Sequence, residues 1–139
     1  MTSPGVIAAL DLGTRFTGIA LAQPPLNLAL PHAVLEAQGF AQLWQKIQLV
    51  PAFPQIGAWV LGLPLHASGA PSAQSDLVQK FARYLSYRHP APIWLVDERL
   101  TSQAARRTSS LERHDAEAAS LILAGYLSAP HLAQRGGDA

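Results

Sequence analysis

The order of extended and helical segments constrains this fold more than any other feature of the sequence. Three segments with strand character come first, and helical and strand patterns alternate after them. The predicted strands cover residues 6–10, 17–22, 26–35, 59–63 and 93–96. Because a strand–helix–strand unit almost always crosses over in the right-handed sense, this order predicts an α/β domain. Its sheet would be mixed and five-stranded, with three antiparallel strands, then βαβ units, and helices on both faces.

Three helices are predicted from apolar residues that recur at helical spacing. The second begins at a serine cap, Ser72 or Ser75, and the third runs from about residue 115 to residue 127. A shorter helix is predicted over residues 103–107, with Thr101 as its cap. The apolar positions of the three longer helices are Phe40, Leu43, Trp44 and Ile47, then Leu77, Phe81, Tyr84 and Leu85, then Ala118, Ala119, Ile122, Leu123 and Tyr126.

The size and composition of the chain favour a single domain. Its 139 residues, 49% of them hydrophobic, are enough for one buried core. We expect one domain over residues 1–139, with flexible termini at residues 1–4 and about 130–139. The absence of cysteine excludes disulfide bonds, thiolate metal sites and a cysteine nucleophile. No stretch has the length and apolar character of a membrane span, so we expect a cytoplasmic protein that binds no membrane.

Three acidic residues occupy positions where a solvated surface acid is not expected. Asp11 ends an apolar strand and Glu98 follows one, and the carboxyl ends of strands line the ligand crevice of open α/β sheets. Asp115 precedes apolar positions of the last helix by three, four, seven and eleven residues, which predicts that it lies on the buried face of that helix. Structural roles also fit these acids. Asp11 could form an Asx-turn and Asp115 could cap its helix, and Glu98 could belong to a solvated turn.

A group of carboxylates points to metal-dependent chemistry. Carboxylates brought together repel one another unless a cation joins them, and hard oxygen ligands suit Mg²⁺ or Mn²⁺. A pair of such ions can activate an attacking water and stabilise the leaving oxygen of an in-line displacement. Phosphodiester hydrolysis therefore fits an acidic site that contains no cysteine or histidine.

Four blocks of this sequence resemble the YqgF/RuvX family, and they occur in the family's order. The blocks are ALDLGTR at 9–15 with Gly18, GLPL at 62–65 with Gly69, DERLT at 97–101, and DAEAA at 115–119 with Ile122 and Leu123. The DERLT block directly after an apolar strand is the most specific of the four. The resemblance extends from residue 6 to about residue 127, which is nearly the whole chain.

This resemblance implies a fold, an activity and a set of site residues. The fold is ribonuclease H-like and related to that of the Holliday-junction resolvase RuvC. The activity is that of a metal-dependent nuclease, a hydrolase acting on ester bonds, in maturation of the 5′ end of pre-16S ribosomal RNA. The family's acids fall on Asp11, Glu98 and Asp115, which would be both the catalytic residues and the ligands of Mg²⁺ or Mn²⁺.

The expected partner is nucleic acid, with RNA favoured over branched DNA. Arg15, Arg99 and Arg113 are the expected substrate contacts, because the guanidinium group can bind a phosphate through two hydrogen bonds. Two departures from the family affect substrate choice. The second strand leads to Gln23 instead of an aspartate, and the segment 100–115 is short.

Histidine is not expected to take part in the chemistry. His66 and His114 lie near two of the motif blocks, but neither has a partner at metal-ligand spacing. His114 could contact phosphate or tune Asp115, but we expect it to face solvent.

There are three alternative functions, of which the first two stay open. One is a resolvase of branched DNA, which would act as a homodimer because paired incision needs two sites. Another is a nucleic-acid-binding or regulatory factor without catalysis. A third follows from DLGT at 11–14, which also resembles the first phosphate loop of actin-like ATPases and sugar kinases. Those proteins need two such domains, and 139 residues leave no room for the second.

Overall fold

A computed structural model of the chain describes residues 5–100 and 114–137. The predicted helix at 103–107, its cap Thr101 and the predicted substrate contact Arg113 lie outside the described residues. The described strands and helices are β1 (Val6–Asp11), β2 (Phe16–Ala22), β3 (Leu30–Glu36), α1 (Gly39–Gln48), β4 (Ile56–Leu63), α2 (Ala73–Ser86), β5 (Ile93–Asp97), α3 (Ala116–Ser128) and β6 (Gln134–Gly136). Short 3-10 helices cover Phe53–Gln55, Glu98–Leu100 and Pro130–Leu132.

Within these residues the strands form one mixed sheet in the order β3-β2-β1-β4-β5-β6. The first three strands pair antiparallel to one another, as the sequence predicts. β4 then pairs parallel with β1, and β5 pairs parallel with β4. The predicted α/β class and the change from an antiparallel meander to parallel βαβ units are therefore confirmed.

The described sheet has six strands where five are predicted. β6 pairs antiparallel with β5, and Arg135 lies opposite Trp94 with its guanidinium carbon 5.5 Å from the centre of the indole ring. The sequence predicts a flexible terminus for this segment. The strand was missed because three residues, Gln-Arg-Gly, are too short to show the alternation on which strand prediction depends.

Helices cover both faces of the sheet, as predicted. α1 and α2 lie on one face, and α3 packs against β1 and β2 on the other. Ser72 is the N-cap of α2. Its hydroxyl accepts a hydrogen bond from the backbone N–H of Ser75, and the Ser75 hydroxyl accepts one from the backbone N–H of Ser72. This reciprocal cap satisfies two N–H groups at the start of the helix. None of the described helices is long and apolar enough to cross a membrane.

The two faces are filled by side chains of different size. We call the α1/α2 side the aromatic face, because it contains Phe40, Trp44, Phe53, Trp59, Phe81, Tyr84 and His89 in ring-to-ring contact. We call the α3 side the small-residue face, because its sheet surface is built from Ala9, Gly18, Ala20, Ala22, Val60, Gly62 and Val96. Small side chains let α3 approach the sheet closely.

Candidate active site

Asp11 and Glu98 lie at the same edge of the sheet. β1 ends in Asp11, and β5 ends at the residue before Glu98. Both strands pair parallel with β4, so their carboxyl ends meet at one edge. Asp11 is 3% exposed and Glu98 4%, which is unusual for acids and indicates that the surrounding structure compensates their charge. The predicted position of both acids at strand ends is confirmed.

Gly62 of β4 separates these two acids. Ala9 lies opposite Val60 in the sheet, so two residues further along Asp11 flanks Gly62 on the small-residue face. A Cβ atom on Gly62 would lie 3.3 Å from the carboxyl carbon of Glu98 and 2.6 Å from Cδ1 of Ile122. The Glu98 carboxyl group therefore lies over the glycine. Because adjacent strands are only about 4.8 Å apart, this arrangement turns Glu98 toward Asp11 across a single strand.

Asp115 reaches the same region through its main chain. It is the N-cap of α3, and its Oδ1 accepts the backbone N–H of Ala118 at 2.8 Å. A Cβ atom on Gly18 would lie 1.9 Å from the carbonyl oxygen of Asp115, and Gly18 is the cross-strand partner of Asp11. Asp115 thus precedes the helix instead of lying within it. The capping role, one of the two roles that the sequence left open, is present in the structure.

His114 lies against Asp11 and not in solvent. Its Nδ1 is 3.3 Å from Oδ1 of Asp11, and its side chain is only 16% exposed. A carboxylate oxygen only accepts, so this contact is a hydrogen bond when Nδ1 carries the proton. A Cβ atom on Gly13 would lie 2.8 Å from the imidazole ring. The expectation that His114 faces solvent is wrong. The close approach of Asp115 to Gly18 at the start of α3 places His114, the residue before it, against the β1–β2 turn.

Two of the predicted substrate arginines, Arg15 and Arg99, have protein partners in the structure. The Nη2 atom of Arg15 lies 2.8 Å from a carboxylate oxygen of Glu36, on side chains that are 65% and 54% exposed. Its guanidinium carbon also lies 5.0 Å from the centre of the Phe16 ring. Arg99 donates to both carboxylate oxygens of Asp97 and to the carbonyl oxygen of Ala67. These hydrogen bonds hold the pKa of the Asp97 carboxyl group below its usual value and raise the pKa of Arg99.

The metal site predicted at Asp11, Glu98 and Asp115 stays a prediction. No group of three or more histidine, aspartate or glutamate side chains in 5–100 and 114–137 is arranged to hold a metal ion. Asp11 and Glu98 nevertheless form a buried pair of oxygen donors beside a glycine. Mg²⁺ is commonly bound through one or two carboxylates, with water and phosphate oxygens completing its shell. The pair therefore fits such an ion, whereas Asp115 uses one carboxylate oxygen to cap α3.

A protein-family model matches most of the chain. A family model described as "RuvX: Holliday junction resolvase" matches residues 5–129. All four sequence blocks quoted above lie within this range.

Curated relatives cover the chain almost from end to end. A protein of Pseudomonas paraeruginosa is 36% identical over 132 residues, which cover 88% of this chain and 92% of the relative. A protein of Thiobacillus denitrificans is 34% identical over 136 residues, which cover 90% of this chain and 92% of the relative. Both carry the name "Putative pre-16S rRNA nuclease".

A solved structure shares the fold. Thermus thermophilus RuvC, described as "T. thermophilus RuvC in complex with Holliday junction substrate", superposes with a TM-score of 0.56. The alignment covers 94% of this chain and 99% of that one, at 15% sequence identity. The likeness confirms the predicted ribonuclease H-like fold.

Proposed function

The chain belongs to the RuvX family, and on this premise we propose that it is a metal-dependent nuclease that hydrolyses phosphodiester bonds in maturation of the 5′ end of pre-16S ribosomal RNA. The observation that carries the proposal is the buried pair Asp11 and Glu98 on either side of Gly62. Both acids lie where open α/β sheets bind ligands, and carboxylate oxygens are the ligands that Mg²⁺ and Mn²⁺ prefer. The names of the curated relatives support pre-16S ribosomal RNA as the substrate.

Each residue of the site has a proposed task. Asp11 and Glu98 would hold Mg²⁺ or Mn²⁺, and Asp115 would complete the predicted acidic set from the start of α3. When bound, the metal supplies activation of a water molecule and charge stabilisation on phosphate oxygens. His114 orients the Asp11 carboxylate through its Nδ1 contact. Gly62 and Gly18 keep the space above the sheet open for the acids and for α3.

The proposed substrate contacts are Arg15 and Arg113. Arg15 lies in the turn directly after Asp11, and its side chain is mostly exposed. A substrate phosphate could therefore replace Glu36 as the partner of the guanidinium group. Arg113 is proposed from the sequence alone. Nucleic acid is the proposed partner, with RNA favoured over branched DNA, and the cytoplasmic location stays a prediction.

A second candidate function is cleavage of branched DNA. The description of the matching family model as a Holliday junction resolvase favours it. Both activities use the same hydrolytic chemistry, so the acidic pair does not distinguish them. Symmetrical incision of a junction would require a homodimer, whereas trimming of ribosomal RNA requires one site.

A cleavage assay with two substrates tests both candidates. The native protein, Asp11→Asn and Glu98→Gln would be incubated with Mg²⁺ or Mn²⁺ and either a labelled precursor ribosomal RNA fragment or a four-way DNA junction. Asp76→Asn is the matched control, because Asp76 is an exposed acid in the first turn of α2. We expect RNA cleavage by the native protein and the control, and its loss in both site variants. Cleavage of the junction alone would favour the resolvase, and no metal-dependent cleavage of either substrate would contradict both.

A binding measurement tests the metal proposal without relying on activity. We expect Mg²⁺ or Mn²⁺ to raise the melting temperature of the native protein, because a ligand that binds only the folded state stabilises it. Asp11→Asn should weaken this increase, whereas Asp76→Asn should retain it. An equal increase in the native protein and in Asp11→Asn would show that the metal binds elsewhere.

A further inference from the structure

Arg99, the residue directly after Glu98, makes several hydrogen bonds. Its Nε lies 3.0 and 3.1 Å from the two carboxylate oxygens of Asp97, and its Nη2 lies 2.6 Å from Oδ2. Its Nη1 donates to the carbonyl oxygen of Ala67 at 3.1 Å. Its backbone N–H also donates to Oδ1 of Asp97 at 2.9 Å. The guanidinium is thus engaged on two sides, by a carboxylate and by a main-chain carbonyl.

These contacts bracket Glu98. Asp97 is the last residue of β5 and lies opposite Leu63, and Glu98 opens the following 3-10 helix. Because the Asp97 carboxylate binds both the main chain and the side chain of Arg99, the peptide groups on either side of Glu98 are held in one conformation. Bidentate pairing of an arginine with a carboxylate fixes the geometry of both groups and strengthens the interaction. The direction in which Glu98 leaves the strand therefore depends on this pair.

The same guanidinium holds the loop that follows β4. This loop, residues 64–72, leaves the sheet next to Gly62 and leads into α2. Gly69 has φ +92°, a conformation that favours glycine, and a Cβ atom there would lie 3.3 Å from Nη1 of Arg99. Ser72 closes the loop from its other end, with its hydroxyl donating to the carbonyl oxygen of Pro64 at 2.5 Å. Arg99 thus links the ends of β4 and β5, the strands on which Gly62 and Glu98 depend.

The charge of Arg99 is already compensated. Its side chain is 39% exposed and that of Asp97 19%, and together they carry no net charge. A substrate phosphate could take this guanidinium only by displacing the Asp97 carboxylate or the Ala67 carbonyl. Arg15, by contrast, pairs with Glu36 through side chains that are both more than half exposed. The two arginines are therefore suited to different tasks.

We infer that Arg99 and Asp97 form a clamp that positions Glu98 over Gly62 and ties the 64–72 loop to the site, so that Arg99 is a positioning residue and not a phosphate contact. The inference rests on the proposed nuclease function. It replaces the role in substrate binding that the sequence predicts for Arg99. A small misplacement of an acting group can cost about a hundredfold in rate, so loss of the clamp should act on kcat.

Kinetics of the native protein, Asp97→Ala, Arg99→Ala and the double variant test the clamp. We expect each single variant to lower kcat for RNA cleavage by about tenfold or more with little change in KM. The double variant should be no slower than the slower single variant, because both changes remove the same interaction. Arg99→Lys should not restore kcat, since an ammonium group lacks the planar fork. Arg135→Ala is the control, because Arg135 is exposed near the opposite end of β5.

A phosphate contact would give the opposite pattern. Asp97→Ala would then release the guanidinium and tighten RNA binding, whereas Arg99→Ala would weaken it. Arg99→Ala would also reduce the slope of log Kd against log salt concentration by about one. Either this pattern or unchanged kcat in both single variants would overturn the clamp.

Hydrogen exchange separates failure of the clamp from failure of the nuclease proposal. Arg99→Ala should speed amide exchange in the 64–72 loop while leaving α3 as slow as in the native protein. If the native protein cleaves neither substrate, the nuclease proposal fails, and unchanged exchange in the loop would overturn the clamp independently. Faster exchange with unchanged kcat in an active enzyme would show that the pair holds the loop without positioning Glu98.

Discussion

The two faces of the sheet differ in how they use their side chains. On the aromatic face, Trp59 and Phe81 are completely buried, and their rings contact further rings of the α1/α2 layer. On the small-residue face, glycine and alanine allow α3 to approach the sheet. There the main chain of Asp115 fills the space that a side chain at Gly18 would occupy. One face buries large surfaces, and the other brings main chains close together.

This difference separates stability from function. A large buried ring removes more apolar surface from water than a small side chain does, and none of the predicted site residues lies among the rings of the aromatic face. The small-residue face buries less surface per residue but holds Asp11, Glu98 and the start of α3 together. We therefore expect substitutions on the aromatic face to change stability more than site chemistry, and substitutions on the small-residue face to do the reverse.

The largest effect on stability is expected from Phe81→Ala. Phe81 is fully buried and contacts the rings of Phe40 and Tyr84, so its removal should lower the free energy of unfolding by about 3–5 kcal/mol. Urea denaturation measures this change. Tyr87→Ala is the control, because Tyr87 is 71% exposed. If Phe81→Ala also abolished the metal-induced rise in melting temperature, the proposed separation of the two faces would be wrong.

Compared with Phe81→Ala, Gly18→Ala should cause a smaller loss of stability and a larger loss of RNA cleavage. The added Cβ would meet main-chain atoms of Asp115, which cannot move aside without moving α3. We expect a loss of about 1–3 kcal/mol in the free energy of unfolding, together with loss of RNA cleavage.

Gly39→Ala is the matched control for this substitution. Its added Cβ has no neighbour within 4 Å, but its φ of +82° costs about 1–2 kcal/mol in any other residue. Both variants should therefore be destabilised, but Gly39→Ala should retain cleavage. Native-like cleavage by Gly18→Ala would show that the close approach of α3 is not required.

The smallest effect is a pH dependence of stability that arises on the aromatic face. The indole N–H of Trp59 donates to Nδ1 of His89 at 3.1 Å, and burial lowers the pKa of His89 below its ordinary value of 6.5. The folded state therefore favours neutral His89. Its contribution to stability is fully present above about pH 6.5 and is lost as the pH falls from there through the lowered pKa.

Comparison with His89→Gln isolates this contribution. Glutamine can accept the indole N–H but does not titrate, and the other titratable groups are common to both proteins. Between about pH 7.5 and about pH 5.5 the native protein should lose more stability than the variant, because only the native protein takes up a proton at this position as the pH falls. Parallel stability curves for the two proteins would exclude the effect.

Much of the fold could be predicted because it depends on local patterns. Apolar runs and helical spacing indicate β1, β4, β5, α2 and α3, and the order of these elements indicates the sheet. The positions of Asp11 and Glu98 at strand ends followed from the apolar runs that precede them, and the rule that the carboxyl ends of strands line the ligand crevice indicated a role in ligand binding. β6 could not be predicted in the same way, because its sequence shows no strand pattern of its own. It is a strand only through its pairing with β5.

The site was predicted less completely than the fold. The contact between His114 and Asp11 joins residues that are 103 positions apart, and no local sequence pattern predicts it. The nearest signal is the pair of glycines at 13 and 18, which leave space for a neighbouring segment. The contacts of Arg99 also depend on where the loop after β4 returns, and that position is set by packing.

The sequence by itself determined the order of elements, the α/β class, the family and the acids at the strand ends, because each of these is written in residue types and short spacings. Only the tertiary structure decided that Glu98 lies over Gly62, that Asp115 caps α3 above Gly18, and that Arg99 binds Asp97 and Ala67. These contacts arise when close packing brings distant segments together. The free energy of such contacts depends on distances of a few ångströms, which residue spacing along the chain does not specify.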